Sequence, residues 1–268
     1  MVESRLARAL LRLATGAVML FLYFPLAVLG VYAFNDSKLA AWPPTGFTLK
    51  WFGEAAANPA IQAALANSLV AASSATLIAL LLGTLAALAV QRHEFFGKNT
   101  VSFLFVLPIA LPGVITGIAL QSSFKLFGVS LGLPTIVVAH ATFCVVVAYN
   151  NVVARLRRLP RSPEEASADL GADALTTFRR ITLPSIRTSL LAGGLLAFAL
   201  SFDEVIVTLF AAGAGTKTIP VWIFNSMQRP NELPVVNVVA LVLVLLSILP
   251  VWLAQRISGG EASRGGRY

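Results

Sequence analysis

An all-α integral membrane fold of six transmembrane helices is the prediction for this sequence, and three observations carry it. The mean hydropathy is +0.81, and 57% of the 268 residues are hydrophobic against 12% charged, which lies outside the range of soluble domains. Six apolar runs approach or exceed the roughly 20 residues that a helix needs to cross about 30 Å of hydrocarbon. The roughly ten-residue segments of alternating polar and apolar side chains that mark a membrane barrel are absent from the sequence.

The first run, residues 13–34, follows Arg5, Arg8 and Arg12 as a secretory signal would. It is longer than the roughly 7–15 residues of a signal core, and five more runs follow, so an uncleaved span is expected after an N-terminal segment, 1–12. The second run is 66–90. The third, 101–123, contains Pro108 and Pro112, which remove backbone hydrogen bonds and are expected to kink it. The fourth, fifth and sixth cover 133–153, 190–210 and 235–255. Gly83, Gly113, Gly117, Gly193 and Gly194 give these spans the small-residue content of helices that pack closely on other helices. One membrane domain, 13–256, thus fills the chain, and the glycine- and serine-rich end, 257–268, is expected to be a flexible tail.

Charge placement orients the spans. With the N-terminus in the cytoplasm, fifteen of the twenty Lys and Arg residues fall on inner segments and five, Lys38, Lys50, Lys125, Lys217 and Arg229, on outer ones. That is the positive-inside pattern, and it places both termini in the cytoplasm. The net charge of +8 is therefore a topology signal and not a nucleic-acid footprint.

Catalytic chemistry finds little support. His93 and His140 have no second ligand at metal-site spacing and read as structural or interfacial histidines; Cys144 is the lone cysteine, inside an apolar run. The nearest approach to a phosphate-binding loop, "GAGTKT" from Gly213, has a threonine between its last glycine and Lys217 and lies on an outer segment. No metal and no nucleotide are expected in this chain, which reads as a non-enzyme.

Two carboxylates, Asp203 and Glu204, interrupt the fifth run. A charge in a membrane helix costs about 2.5–3.5 kcal/mol on insertion scales, so such groups face a cavity, a partner or a transport route. On a continuous helix the two would point about 100° apart. Two readings stand: a helix-packing pair, or a lining for the route of a cation.

The inner segment "SPEEASADLGADALTTFRRITLP", 162–184, has the composition of a soluble surface. Ser162 is read as an N-cap, Pro163 as the first helical residue and Glu165 as the partner completing a capping box. Ala166, Leu170, Ala174 and Phe178 recur every four residues along one weakly apolar face. Gly171 is expected to end a first short helix, Asp173 to cap a second, and Pro184 to stop the segment. A surface-lying helix, a solvated loop and a docking helix for a cytoplasmic partner all fit this pattern.

Glu165, Ala166 and Ser167, then three residues, Gly171, nine residues, Ile181, one residue, and Leu183 with Pro184 resemble the E-A-A signature of the inner-membrane permeases of binding-protein-dependent ABC importers. Ser167 in place of the second alanine is the one departure. The resemblance extends to "NSLVAASSATLIALLLGTLAA" from Asn67, which looks like the start of the family's permease core. It implies a type I, methionine-importer-like fold in which segment 161–184 is a coupling helix docked on an ATPase. Glu165 would then supply a polar contact, Ala166 and Ser167 close packing, and Gly171 the bend. The implied partners are a second, similar but non-identical permease chain, two ATP-binding subunits that hold ATP and magnesium, an extracytoplasmic solute-binding protein and the bilayer.

"LSFDEVIVTLF" and the segments after it are similar to the second permease of spermidine/putrescine importers. That similarity implies a polyamine as cargo, with Asp203 and Glu204 on its path. Importers of ferric iron, sulfate, thiamine or phosphonate derivatives share the architecture and remain alternatives. A gradient-driven carrier is a further one, though no repeated half supports it.

Overall fold

The computed structural model describes residues 5–38 and 42–262. They form α1 (Arg5–Phe34), α2 (Lys50–Ala57), α3 (Pro59–Arg92), α4 (Lys98–Ala110), α5 (Gly113–Leu126) and α6 (Leu133–Leu156). The chain continues through α7 (Ser162–Asp169), α8 (Ala174–Thr177), a π-helical turn (Phe178–Thr182) and α9 (Leu183–Phe202). It ends with α10 (Ile206–Ala211), α11 (Ile219–Ser226), a 3-10 turn (Pro230–Glu232) and α12 (Leu233–Ala262). Among the described residues, five helical stretches are long and apolar enough to cross a membrane: Leu6–Phe34, Pro59–Arg92, Leu133–Leu156, Ala174–Phe202 and Pro230–Ser247.

The third apolar run is not a kinked helix but two helices. Leu111 is extended, with φ −83° and ψ 137°, because the ring of Pro112 disfavours a helical residue before it. Pro108 stays inside α4, and the chain breaks at the second proline. The fifth run also differs from expectation. Pro184 does not stop the preceding segment; it sits in the first turn of α9, and helix runs through the π-turn into the span. The span then breaks at Asp203, so the two carboxylates are not on one continuous helix. At the chain ends α1 begins at Arg5 and α12 reaches Ala262, so helix extends into both expected terminal segments; residues 1–4 and 263–268 lie outside the described residues.

The chain divides into two compact units. One holds the described residues of Met1–Gln62 and of Ile223–Trp252. In it the Trp51 indole is buried and donates from Nε1 to the Asn35 carbonyl at 2.8 Å, while Lys50 pairs with Asp36 and lies over the Trp51 ring. Most of α1 is exposed apolar surface, as suits a helix in contact with lipid.

The other unit holds Ala63–Trp222 and the described residues of Leu253–Tyr268. Its centre is α6, the most buried of the five stretches, packed against α9, α4 and α10. Glycines set these approaches. A Cβ on Gly83 of α3 would lie 2.8 Å from the Tyr149 amide nitrogen, so α3 reaches the α6 backbone, and one on Gly193 of α9 would lie 3.2 Å from Asn151 Cβ, a close approach of α9 to α6. Tyr149 is held on its far side by the Ser102 hydroxyl at 2.6 Å and the stacked Phe105 ring.

Candidate functional site

The first candidate site is the segment between α6 and α9. Helix α7 starts at Ser162, but Ser162 is not its cap and no capping box forms. Arg161 occupies that position, and its carbonyl accepts from the amides of Glu164 at 2.9 Å and Glu165 at 3.1 Å. Side chains outside the helix hold its first turn instead. Arg161 Nη2 donates to the Gln91 carbonyl at 2.6 Å, and Arg92 Nη2 donates to Glu164 Oε1 at 3.1 Å. Arg92 Nε lies 2.8 Å from Glu164 Oε2, an ion-pair contact more than an aligned hydrogen bond, and the Thr182 hydroxyl donates to Oε1 at 2.9 Å.

The end of α7 follows the sequence closely. Gly171 adopts φ +80°, open to glycine at little cost, and lets the Ala172 amide reach the Ser167 carbonyl at 3.1 Å while its own reaches Ala168 at 2.9 Å. Asp173 then caps α8, accepting from the Thr176 amide at 2.9 Å. Hydrogen bonds from Thr176 hold the Asp173 carboxyl below the usual carboxylate range. A depressed acid stabilises the fold in its ionised form, so this cap is fully present at neutral pH and is lost as pH falls through the lowered pKa. Protection of the Thr176 amide from hydrogen exchange is expected to follow that titration, and Asp173→Ala should remove the protection at every pH.

The signature residues divide by direction. Glu165, Ala166, Gly171 and Pro184 are exposed, and Leu183 sits at the margin. Ser167 turns inward, its hydroxyl 3.0 Å from that of Thr177, and Ile181 is half-buried. Between them Leu170 is 89% exposed and Leu175 55%, an apolar surface that nothing within the described residues covers. Ala166 and Ala174 are exposed beside these leucines, while Phe178 is half-buried.

The second candidate site is the break in the fifth span. Asp203 ends α9; its carboxylate is exposed. Glu204 reaches forward along the chain, its Oε1 accepting from the Val207 amide at 2.9 Å, so it serves the start of α10. His140 of α6 spans the break, with Nδ1 2.7 Å from the Ser201 hydroxyl and Nε2 2.8 Å from that of Thr208. The hydroxyl hydrogen of Thr208 goes to the Glu204 carbonyl at 2.8 Å, so Thr208 must accept from Nε2–H. In the neutral ring Nδ1 then accepts from Ser201. His140 is thus structural, and it fixes both sides of the acidic break. His140→Leu strips this clamp, and a stability loss of about 1–3 kcal/mol in detergent is expected from thermal unfolding.

Sequence reasoning missed Arg92, Glu164, Thr182 and the partners of His140. Arg92 and Glu164 are 72 positions apart and carry no local pattern. Ser201 and Thr208 flank the acid pair, but only the fold shows that one imidazole reaches both. Among the described residues no group of three or more His, Cys, Asp or Glu could hold a metal.

Residues 79–260 match the family model of the binding-protein-dependent transport system inner membrane component, well over half of the chain. The chain belongs to this family of importer permeases. The permease is 39% identical over 228 residues to the putrescine transport system permease protein PotI of Escherichia coli strain K12, covering 82% of this chain and 80% of the relative. It is 34% identical over 243 residues to the spermidine/putrescine transport system permease protein PotC of the same strain, covering 90% and 91%. Its fold matches a chain of a bacterial ABC transporter for import of the acidic polysaccharide alginate, with a TM-score of 0.77 at 15% identity, over 96% of this chain and 99% of the other. The permease is accordingly a non-catalytic, multi-pass subunit of the inner membrane, belonging to a binding-protein-dependent ABC importer.

Proposed function

We propose that the permease imports a polyamine, putrescine or spermidine, as one of two similar but non-identical membrane chains that together enclose the path. It crosses the membrane six times, with the α4–α5 pair as the third crossing and both termini in the cytoplasm, in the type I arrangement of the methionine importer. Partner ATPases bind the nucleotide and magnesium, and an extracytoplasmic protein delivers the solute. The observation that carries the cargo is the exposed Asp203 at the break between α9 and α10. The C-terminal end of a 20-residue helix presents carbonyl oxygens and negative dipole charge. With a carboxylate beside it, that end replaces part of the hydration an ammonium group loses, as broken helices do in other transporters. The names of PotI and PotC support the same class.

Energy enters through α7 and α8. Leu170 and Leu175, together with the exposed Ala166 and Ala174, form the surface that meets an ATPase cleft, and Glu165 is exposed in the same segment. Covering one such leucine is worth about 1.5–3 kcal/mol, so the two can seat the helix pair. The whole complex, reconstituted in liposomes with its binding protein and tested against putrescine, spermidine, ferric iron, sulfate and thiamine, decides the cargo. Stimulation of ATP hydrolysis by a polyamine is the expected outcome; stimulation by another solute alone overturns it. Glu165→Arg and Gly171→Val are each expected to leave the permease inserted and to abolish that stimulation.

A further inference from the structure

The segment that meets the ATPase is joined by the chain to only two spans, α6 before it and α9 after it. Yet its strongest side-chain contacts go to a third helix, distant in sequence. Arg92 is the last residue of α3, and its guanidinium grips Glu164 in the first turn of α7, with both side chains largely shielded, at 14% and 21% exposure. Thr182, buried where the π-turn meets α9, donates to the same carboxylate, so one acid joins α3, α7 and the root of α9. A second link runs in parallel from Arg161 to the carbonyl of Gln91, one of the carbonyls left unpaired at the end of α3. Glu94, in the connection between α3 and α4, pairs with Lys98 at 2.8 Å.

We propose that Arg92, Glu164 and Thr182 form a latch that makes the α7 segment and the inner end of α3 one rigid body. Displacement of the segment by the ATPases then reaches α3 directly, and does not have to pass through the α6 and α9 connections. The Glu164 carboxylate takes one guanidinium hydrogen bond and the Thr182 hydroxyl on Oε1, while Oε2 lies in ion-pair contact with Nε, and these three contacts leave the acid little freedom to turn. Surface ion pairs lack this rigidity, but a shielded pair with a third partner has it. These are positioning residues, and they need touch neither solute nor nucleotide. The inference rests on the reading of α7 as the ATPase-docking element.

The test places spin labels at Ala89→Cys and Asp169→Cys in the assembled complex, with the buried Cys144 replaced by serine, and compares nucleotide-free with ATP–vanadate-trapped states. With the latch intact, the separation is expected to stay within about 2 Å between states, the scale of a helix adjustment. Arg92→Gln and Glu164→Gln are each expected to spread it over about 5 Å or more, one helical turn. The reversed pair, Arg92→Glu with Glu164→Arg, should restore a single narrow distance and so separate a latch from a general loss of folding. Single variants that keep the wild-type distance, or a wild-type separation that changes by more than about 2 Å between states, overturn the latch. Cross-linking of Glu165→Cys to the ATPase judges the docking reading by itself: its failure, with the narrow distance retained, removes that reading and leaves the rigid link in place.

Discussion

Asp203→Asn is expected to lower putrescine uptake by about ten- to a hundredfold while leaving the importer assembled, the range given by losing a charge-assisted contact of about 1.5–3 kcal/mol. The reason lies in what each acid of the pair does. Asp203 is exposed, and its isosteric amide removes charge with little change of shape. Glu204 is committed to the Val207 amide, so Glu204→Gln, which keeps a carbonyl oxygen as acceptor, should have the smaller effect on uptake. Glu204→Ala should instead unsettle α10, whose first turn loses its acceptor. Initial rates in liposomes, normalised to the amount of assembled complex, separate the two residues. Wild-type uptake in both Asp203→Asn and Glu204→Gln would remove the acidic pair from the path.

Gly83→Val should prevent the permease from accumulating in the membrane. The added Cβ alone would lie 2.8 Å from the Tyr149 nitrogen, 2.9 Å from Ala148 Cβ and 3.0 Å from the Val145 carbonyl oxygen. Backbone of the most buried helix cannot step aside as a flexible side chain can, so α3 must move off α6. Overpacking of this kind costs about 1–3 kcal/mol or more. Tyr149 also belongs to the core cluster with Val152, Leu156 and Ile186, so the displacement spreads. Gly16→Ala is the control, because a Cβ there meets nothing within 4 Å. The amount of inserted protein and its thermal midpoint in detergent are the measurements; equal values for the two variants would show that α3 and α6 do not depend on this contact.

The acidic pair shows where sequence and structure part. Hydropathy located Asp203 and Glu204 inside an apolar run, and that was enough to make them candidates. A continuous helix was the natural reading, because a run of apolar residues has no local signal that stops it at Phe202. The break is held from outside, by one imidazole bonded to Ser201 and Thr208, and by Glu204 turning to the chain ahead of it. The two prolines of the third run were visible as a disturbance, and the extended Leu111 resolves which of them breaks the helix.

In the segment 162–184, Gly171 and Asp173 behaved as their chemistry requires, since a positive φ and a short polar cap are decided within a few residues. Ser162 and Pro184 did not, since the first turn of α7 is governed by Arg92 and the π-turn carries helix past the proline.

By itself the sequence determined the solvent, the number of apolar runs, the segments on which the basic residues gather, and the spacing that marks an importer permease. These are properties of composition and of neighbours within a few turns, where the chain's own chemistry is sufficient. The tertiary structure decided which acid is exposed and which is a cap, where two spans break, and which helices are tied to the segment 162–184. Each of those depends on a partner dozens of residues away, and burial and hydrogen-bond geometry, not local preference, select such partners.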